Sequence, residues 1–188
     1  MTSDIAIIAG SGSFPFEIAD AVHATGHKPF ILGLRGFVDR NPALRFYDHA
    51  YADMLDPQRI LSVLHHHNIK RVILAGGVAR PGPLALLSIY SFFRHREELK
   101  RIVSGGDDRI LRGVIRLLED NGFSVMGIDE AAPDLLIKTG QVGSIACPEH
   151  IKSDIDVALS CLSLIGSFDM GQGAVVARGR ILGIEGPE

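Results

Sequence analysis

The stretch IAIIAGSGSFPFEIADAVHA, residues 5–24, decides the fold class of this chain. Its first five residues are apolar and rich in β-branched side chains, a pattern typical of a strand covered on both faces, as in a parallel sheet. Glycines then end the strand, and a helix is predicted to follow, with Ser13 as its N-cap and Pro15 in its first turn. A second strand from Pro29 to Leu34 completes a strand–helix–strand unit.

The same alternation repeats along the chain, which predicts a parallel, doubly wound sheet. Asp56-Pro57 begins a second helix, and residues 71–75 form a buried strand that again ends in glycines. A further helix after Gly105-Gly106 and a short strand at residues 123–126 continue the pattern. We therefore predict an α/β fold whose Rossmann-like parallel-sheet domain covers residues 1–130.

The character of the sequence changes after residue 130. Residues 131–150 are predicted to be a linker, and residues 151–188 contain one helix, capped by Ser153, and a hairpin of two strands around Arg178-Gly179-Arg180. One helix and two strands rarely form a stable domain alone. We expect a smaller, incomplete α+β C-terminal unit whose exposed strand edges favour pairing with a second chain as a homodimer.

Composition narrows the classes of function that the chain can have. Hydrophobic residues make up 46% of its 188 residues and charged residues 22%, which excludes wholesale disorder. The formal net charge of -3 gives no basic footprint for nucleic acid. No signal peptide is evident, and no uninterrupted apolar run reaches the roughly 18 residues of a membrane span. We expect a cytoplasmic protein that binds no nucleic acid.

Glycines at two strand ends predict a site for a phosphate group. The loop Gly10-Ser11-Gly12-Ser13 precedes a helix, whose N-terminus supplies N–H donors and partial positive charge. Gly76-Gly77-Val78 ends a second central strand, and ligands of open α/β sheets gather at the carboxyl ends of the strands. The alternative is that both segments are only tight structural turns.

The same loop argues against a nicotinamide dinucleotide. The fingerprint G-x-G-x-x-G fails because Pro15 stands in place of its third glycine. In proteins that carry this fingerprint, an acidic residue follows the second strand. In this chain Arg35-Gly36 stands there instead. A dinucleotide oxidoreductase is therefore the third choice.

Two further segments each have a structural and a functional interpretation. Asp107-Asp108 either caps the helix that it begins or holds a divalent ion against a phosphate. Residues 84–93 are apolar nearly all round, and four basic residues follow them. They form either a buried helix with a solvated end or a contact for acyl chains and anionic lipid headgroups.

Several blocks of the sequence, taken together, are similar to a known family. They are residues 7–15, 75–78 and 106–108, a later block at 169–172 that runs into Val175-Val176, and Glu185. These blocks resemble the metal-dependent UDP-2,3-diacylglucosamine pyrophosphatases of lipid A biosynthesis. The resemblance implies hydrolysis of the pyrophosphate of UDP-2,3-diacylglucosamine to UMP and 2,3-diacylglucosamine 1-phosphate (lipid X). It also implies Mg²⁺ or Mn²⁺ as cofactor and peripheral contact with the cytoplasmic face of the inner membrane.

The resemblance implies substrate-binding positions in this chain but no catalytic residue or metal ligand. The binding positions are Gly10, Ser11, Gly12, Ser13, Gly76, Gly77, Val78, Asp107, Asp108 and Gln172. The family's catalytic and metal-binding carboxylates lie in segments beyond Glu188, so the resemblance implies a C-terminally truncated, inactive fragment. The alternative to a pyrophosphatase is a non-catalytic nucleotide or lipid-phosphate binding module.

Overall fold

The computed structural model describes residues 4–79, 107–168 and 170–186. The chain divides into two compact units, Met1–Ile137 and Lys138–Glu188. The first unit carries a parallel sheet of five strands with helices, and the second carries a two-stranded antiparallel sheet. The predicted α/β class is confirmed. Within the described ranges, no helix has the length and the apolar character needed to cross a membrane.

The first unit alternates strands and helices in the predicted way. Within the described residues, its elements are β1 (Ile5–Ala9), α1 (Phe14–Ala24), β2 (Phe30–Leu34), β3 (His49–Ala52), α2 (Pro57–His66), β4 (Arg71–Ala75), α3 (Asp107–Asp120), β5 (Ser124–Val125) and the short α4 (Ile128–Ala131). The described part of the unit also contains two 3₁₀ turns, Pro42–Phe46 and Pro133–Leu135. Strand β3 was missed from the sequence because it is short and only its last residue, Ala52, is buried.

The strand order β3-β2-β1-β4-β5 puts a topological switch point between β1 and β4. The chain moves outward from β1 to β3, then crosses back and continues on the other side of β1. Strands β1 and β4 pair in register from Ile5 opposite Arg71 to Ala9 opposite Ala75. Both strands therefore end at the same level, and their following loops leave the sheet side by side.

Strands β1 and β2 are buried on both faces of the sheet, as the continuous apolar run of β1 predicts. Ala6 and Ile8 belong to one apolar cluster, which includes Leu61 and Leu64 of α2. Their neighbours in β1 belong to a second cluster with α1 residues, among them Ile18. Burial of each such aliphatic side chain contributes on the order of 1.5–3 kcal/mol. The two layers hold β1 rigidly, which fixes the position of the loop that follows it.

The second unit consists of α5 (Glu149–Ile165), a 3₁₀ turn at Gly166–Phe168 and the hairpin β6 (Ala174–Ala177) and β7 (Arg180–Ile184). The hairpin is confirmed. The helix begins at Glu149, after Pro148, and not at the predicted Ser153. Its Asp154 instead accepts hydrogen bonds from the N–H groups of Arg178 at 2.9 Å and Gly179 at 2.6 Å, which ties the hairpin turn to α5.

Candidate functional site

The two glycine-rich loops that follow β1 and β4 at the switch point are joined by hydrogen bonds. Ser11 and Gly77 form an antiparallel bridge: Ser11 N–H donates to the Gly77 carbonyl at 2.8 Å, and Gly77 N–H donates back to the Ser11 carbonyl at 3.0 Å. The Ser11 hydroxyl donates to the same Gly77 carbonyl at 3.0 Å. Gly10 N–H donates to the carbonyl of Ala75 at 2.8 Å. The loops, here named the joined loops (residues 10–13 and 76–78), thus form one surface.

Glycine is required where the joined loops touch. Gly76 has a φ of 89°, and a Cβ there would lie 2.7 Å from the Ser11 carbonyl oxygen and 2.9 Å from Cγ of Pro15. A Cβ on Gly10 would clash with the Gly77 carbonyl. Gly12 differs, because its φ of 93° favours glycine but a Cβ would meet nothing within 4 Å. Glycines 10 and 76 let the loops approach, and glycine 12 shapes the exposed turn.

An acidic side chain reaches the first loop, which the sequence analysis did not foresee. The Asp39 carboxylate accepts a hydrogen bond from Gly12 N–H at 2.7 Å. Asp39 lies five residues after the end of β2 and not directly after that strand. A turn at Gly36, which has a φ of 82°, lies between the end of β2 and Asp39. Arg35 and Gly36 follow β2 directly, as the sequence analysis states, and Asp39 comes only after the turn.

Two N–H groups without a described acceptor lie at the start of α1. The N–H groups of Gly10, Ser11 and Gly12 are all engaged within the protein. Those of Ser13 and Phe14 donate to no residue in the part of the chain that the structure describes, and both residues are exposed. Ser13 is the N-cap residue, but its hydroxyl donates to Glu17 at 2.7 Å instead of capping the helix. Open N–H groups and the helix dipole together favour an anion at this end of α1.

The remaining predicted positions are placed in three different regions. Val78 is the last residue of the second loop and is exposed. Asp107 and Asp108 begin α3 as predicted, and the structure describes their backbone only. Gln172 lies in the second unit, where its N–H donates to the Glu185 carboxylate at 2.9 Å. The apolar segment 84–93, the basic residues after it and Arg80 lie outside the described residues.

Comparison with known proteins gives the family. The LpxI N-terminal domain matches residues 4–135, and the LpxI C-terminal domain matches residues 138–188. The chain belongs to the LpxI family. It is also 34% identical over 185 residues to a protein of Caulobacter vibrioides named UDP-2,3-diacylglucosamine pyrophosphatase LpxI. The alignment covers 98% of this chain and 65% of the relative, so the chain spans about two thirds of the length of the relative it matches.

The LpxI match corrects the sequence-based resemblance in one respect. The resemblance was to pyrophosphatases defined by metal dependence, whereas LpxI membership rests on two named domains and not on a metal site. Among the side chains that the structure describes, which do not include those of Asp107 and Asp108, no three of His, Cys, Asp or Glu come close enough together to hold a metal ion. The metal remains a prediction from sequence.

Proposed function

We propose that the chain acts in the hydrolysis of the pyrophosphate of UDP-2,3-diacylglucosamine to UMP and lipid X, and that its N-terminal unit binds the UDP part. The observation that carries this proposal is the match of both LpxI domains across nearly the whole chain, together with the name of the 34% identical relative. The joined loops lie at the switch point of the sheet, where ligands of doubly wound folds bind.

In this proposal the joined loops hold the diphosphate by backbone contacts. The N–H groups of Ser13 and Phe14 donate to phosphate oxygens, and the N-terminus of α1 offsets part of the negative charge. The glycines at 10 and 76 let the two loops pack against each other, which fixes the surface that the phosphates would approach. Val78, Asp107, Asp108 and Gln172 remain proposed substrate contacts. These residues bind and orient the substrate, and none of them is assigned a bond-breaking role.

The reaction breaks one bond of the phosphoric anhydride. A water oxygen adds to one phosphorus, and the bridging oxygen leaves with the other phosphorus, so that UMP and a sugar 1-phosphate result. Attack at either phosphorus gives these same products. Mg²⁺ or Mn²⁺ would neutralise charge on the phosphates. No step of the binding proposal passes through the ion.

The test is incubation of the chain with UDP-2,3-diacylglucosamine and detection of UMP and lipid X by mass spectrometry. The Caulobacter relative serves as the positive control. Equimolar UMP and lipid X support the proposed reaction, and parallel reactions with Mg²⁺, Mn²⁺ or EDTA test the cofactor. Intact substrate in the presence of the chain, with turnover by the relative, contradicts hydrolysis by these residues.

The second candidate is a non-catalytic module that binds a nucleotide or lipid phosphate. It is favoured by the joined loops, in which the hydroxyls of Ser11 and Ser13 both donate hydrogen bonds within the protein and the open donors are backbone N–H groups. Native mass spectrometry of the chain after incubation with substrate separates the two functions. Bound, unhydrolysed UDP-2,3-diacylglucosamine supports the binding module, and bound lipid X supports the hydrolase.

Two predictions about partners belong to the same proposal. Peripheral contact with the cytoplasmic face of the inner membrane follows from the acylated substrate, and co-sedimentation with anionic vesicles tests it. A homodimer is supported by apolar side chains that the second unit exposes, such as Leu164, Val175 and Leu182, which are 74%, 62% and 66% exposed. Sedimentation velocity tests the dimer, and a single monomeric species across concentrations contradicts it.

A further inference from the structure

Asp39 occupies a defined position beside the joined loops. Its carboxylate accepts the Gly12 N–H at 2.7 Å, and the residue is otherwise exposed to solvent. Because β2 pairs with β1 on the side away from β4, Asp39 approaches the first loop from the side opposite to Gly77. One loop is therefore contacted by a carbonyl on one side and by a carboxylate on the other.

The segment that carries Asp39 is held in place by the backbone. The N–H groups of Phe37 and Val38 both donate to the Leu34 carbonyl, at 3.1 and 3.0 Å, which forms a turn directly after β2. Val38 packs so closely over Gly33 that a Cβ on that glycine would lie 2.9 Å from its Cγ1. The Asp39 carboxylate is thus presented by a short, bonded turn, and not by a long free loop.

The charge of Asp39 decides what it can bind. An ionised carboxylate accepts about four hydrogen bonds and donates none, and Gly12 uses one of these sites. A phosphate would be repelled there, whereas the neighbouring hydroxyls of a ribose are uncharged donors. In the doubly wound sheets that bind NAD, an acidic side chain after the second strand accepts a hydrogen bond from a ribose hydroxyl, and we apply the same chemistry to Asp39. The phosphate end of the nucleotide would then lie toward the open N–H groups of Ser13 and Phe14.

From this arrangement we infer that Asp39 binds the ribose hydroxyls of the nucleotide and selects a ribonucleotide over its 2′-deoxy form. The inference rests on the proposed function, because it presupposes that UDP lies on the joined loops. The competing role is an internal anion that occupies Gly12 N–H until a phosphate displaces it. The two roles predict opposite effects of removing the carboxylate.

The experiment is isothermal titration calorimetry of the chain with UDP, 2′-deoxy-UDP and inorganic phosphate. Wild type is compared with Asp39→Ala and Asp39→Asn. The matched control is Asp53→Asn, because Asp53 is also exposed and also accepts one backbone N–H, from Leu55 at 2.9 Å, but follows the edge strand β3. Thermal melts of each variant check that it is folded.

We expect wild type and Asp53→Asn to prefer UDP over 2′-deoxy-UDP by about tenfold or more, the range for a hydrogen bond to a charged group. Asp39→Ala should weaken UDP binding by a similar factor and bind both nucleotides equally. Asp39→Asn keeps one neutral acceptor and should fall between them.

Three other outcomes of the titrations would contradict the inference or the proposed function. Tighter binding of both UDP and phosphate by Asp39→Ala identifies the internal anion and overturns ribose selection. UDP binding by wild type without preference over 2′-deoxy-UDP overturns the inference and leaves the proposed function standing. Absence of UDP binding by folded wild type overturns the proposed UDP site and the inference with it.

Discussion

Gly76→Ala should destabilise the N-terminal unit more than Gly12→Ala. Of these two glycines, Gly76 packs against the loop of residues 10–13, whereas Gly12 does not pack against the loop of residues 76–78. The two glycines have nearly equal φ values, 89° and 93°, so an alanine meets the same kind of backbone strain at both positions. They differ in their surroundings. A Cβ at residue 76 would lie within 2.9 Å of three atoms, including Ser11 and Pro15 atoms, and a Cβ at residue 12 would meet nothing within 4 Å.

The size of the difference follows from two contributions to the free energy of unfolding. A left-handed conformation costs an L-residue roughly 1–2 kcal/mol, and this applies to both variants. Overpacking against atoms that cannot move freely costs about 1–3 kcal/mol more, and this applies to Gly76→Ala alone. The lower entropy of the unfolded alanine chain is common to both and cancels. We expect losses of about 1–2 kcal/mol for Gly12→Ala and about 2–5 kcal/mol for Gly76→Ala.

The assay is urea unfolding followed by circular dichroism at 222 nm, since the chain has no tryptophan. Amide hydrogen exchange at Ser11 and Gly77 adds a local readout, because their two N–H groups bond the loops together. Exchange at both should accelerate in Gly76→Ala and stay closer to wild type in Gly12→Ala. Equal destabilisation by the two variants, within about 0.5 kcal/mol, would refute the packing of one loop on the other.

Two further predictions concern single side chains. Asp154→Ala should lower the unfolding free energy of the second unit by about 1–3 kcal/mol, because the turn N–H groups of Arg178 and Gly179 lose their acceptor. Asp156→Ala on the same helix is the control, and equal urea midpoints for the two variants would contradict the role of Asp154. Burial and the hydrogen bond to Asp20 raise the pKa of Tyr47 above its usual range, so the folded chain holds this proton more tightly than the unfolded chain. The unfolding free energy of the wild type should therefore fall as pH rises above about 10, and the fall should be smaller in Tyr47→Phe. Identical slopes of unfolding free energy against pH for the wild type and Tyr47→Phe would disprove this role of Tyr47.

The sequence predicts the sheet because its physical signals are local. The buried run Ile5–Ala9 and the glycines after it are short-range patterns, and both strands of the switch point were located from them. Strand β3 carries no such pattern, since His49, Ala50 and Tyr51 are at least partly exposed at the edge of the sheet. An edge strand is held by pairing with its neighbour, and that pairing is not visible in its own residues.

The candidate site was predicted in its position but not in its bonding. Glycines at two strand ends indicate that the loops lie near a ligand, yet nothing local indicates that Ser11 and Gly77 bond to each other. The N–H groups of Gly10, Ser11 and Gly12 all donate to acceptors within the protein, which the sequence does not indicate. The Asp39 contact spans 27 residues of sequence, and it depends on a turn after β2 that only the folded chain defines.

Amide hydrogen exchange with and without UDP tests the central claim, which is that the joined loops bind the nucleotide diphosphate. Ser13 and Phe14 have no described acceptor for their N–H groups in the free chain, so their exchange should be fast and should slow most when UDP binds. Peptides that cover residues 75–79 should also gain protection. UDP binding that leaves exchange unchanged in both loops would contradict the account.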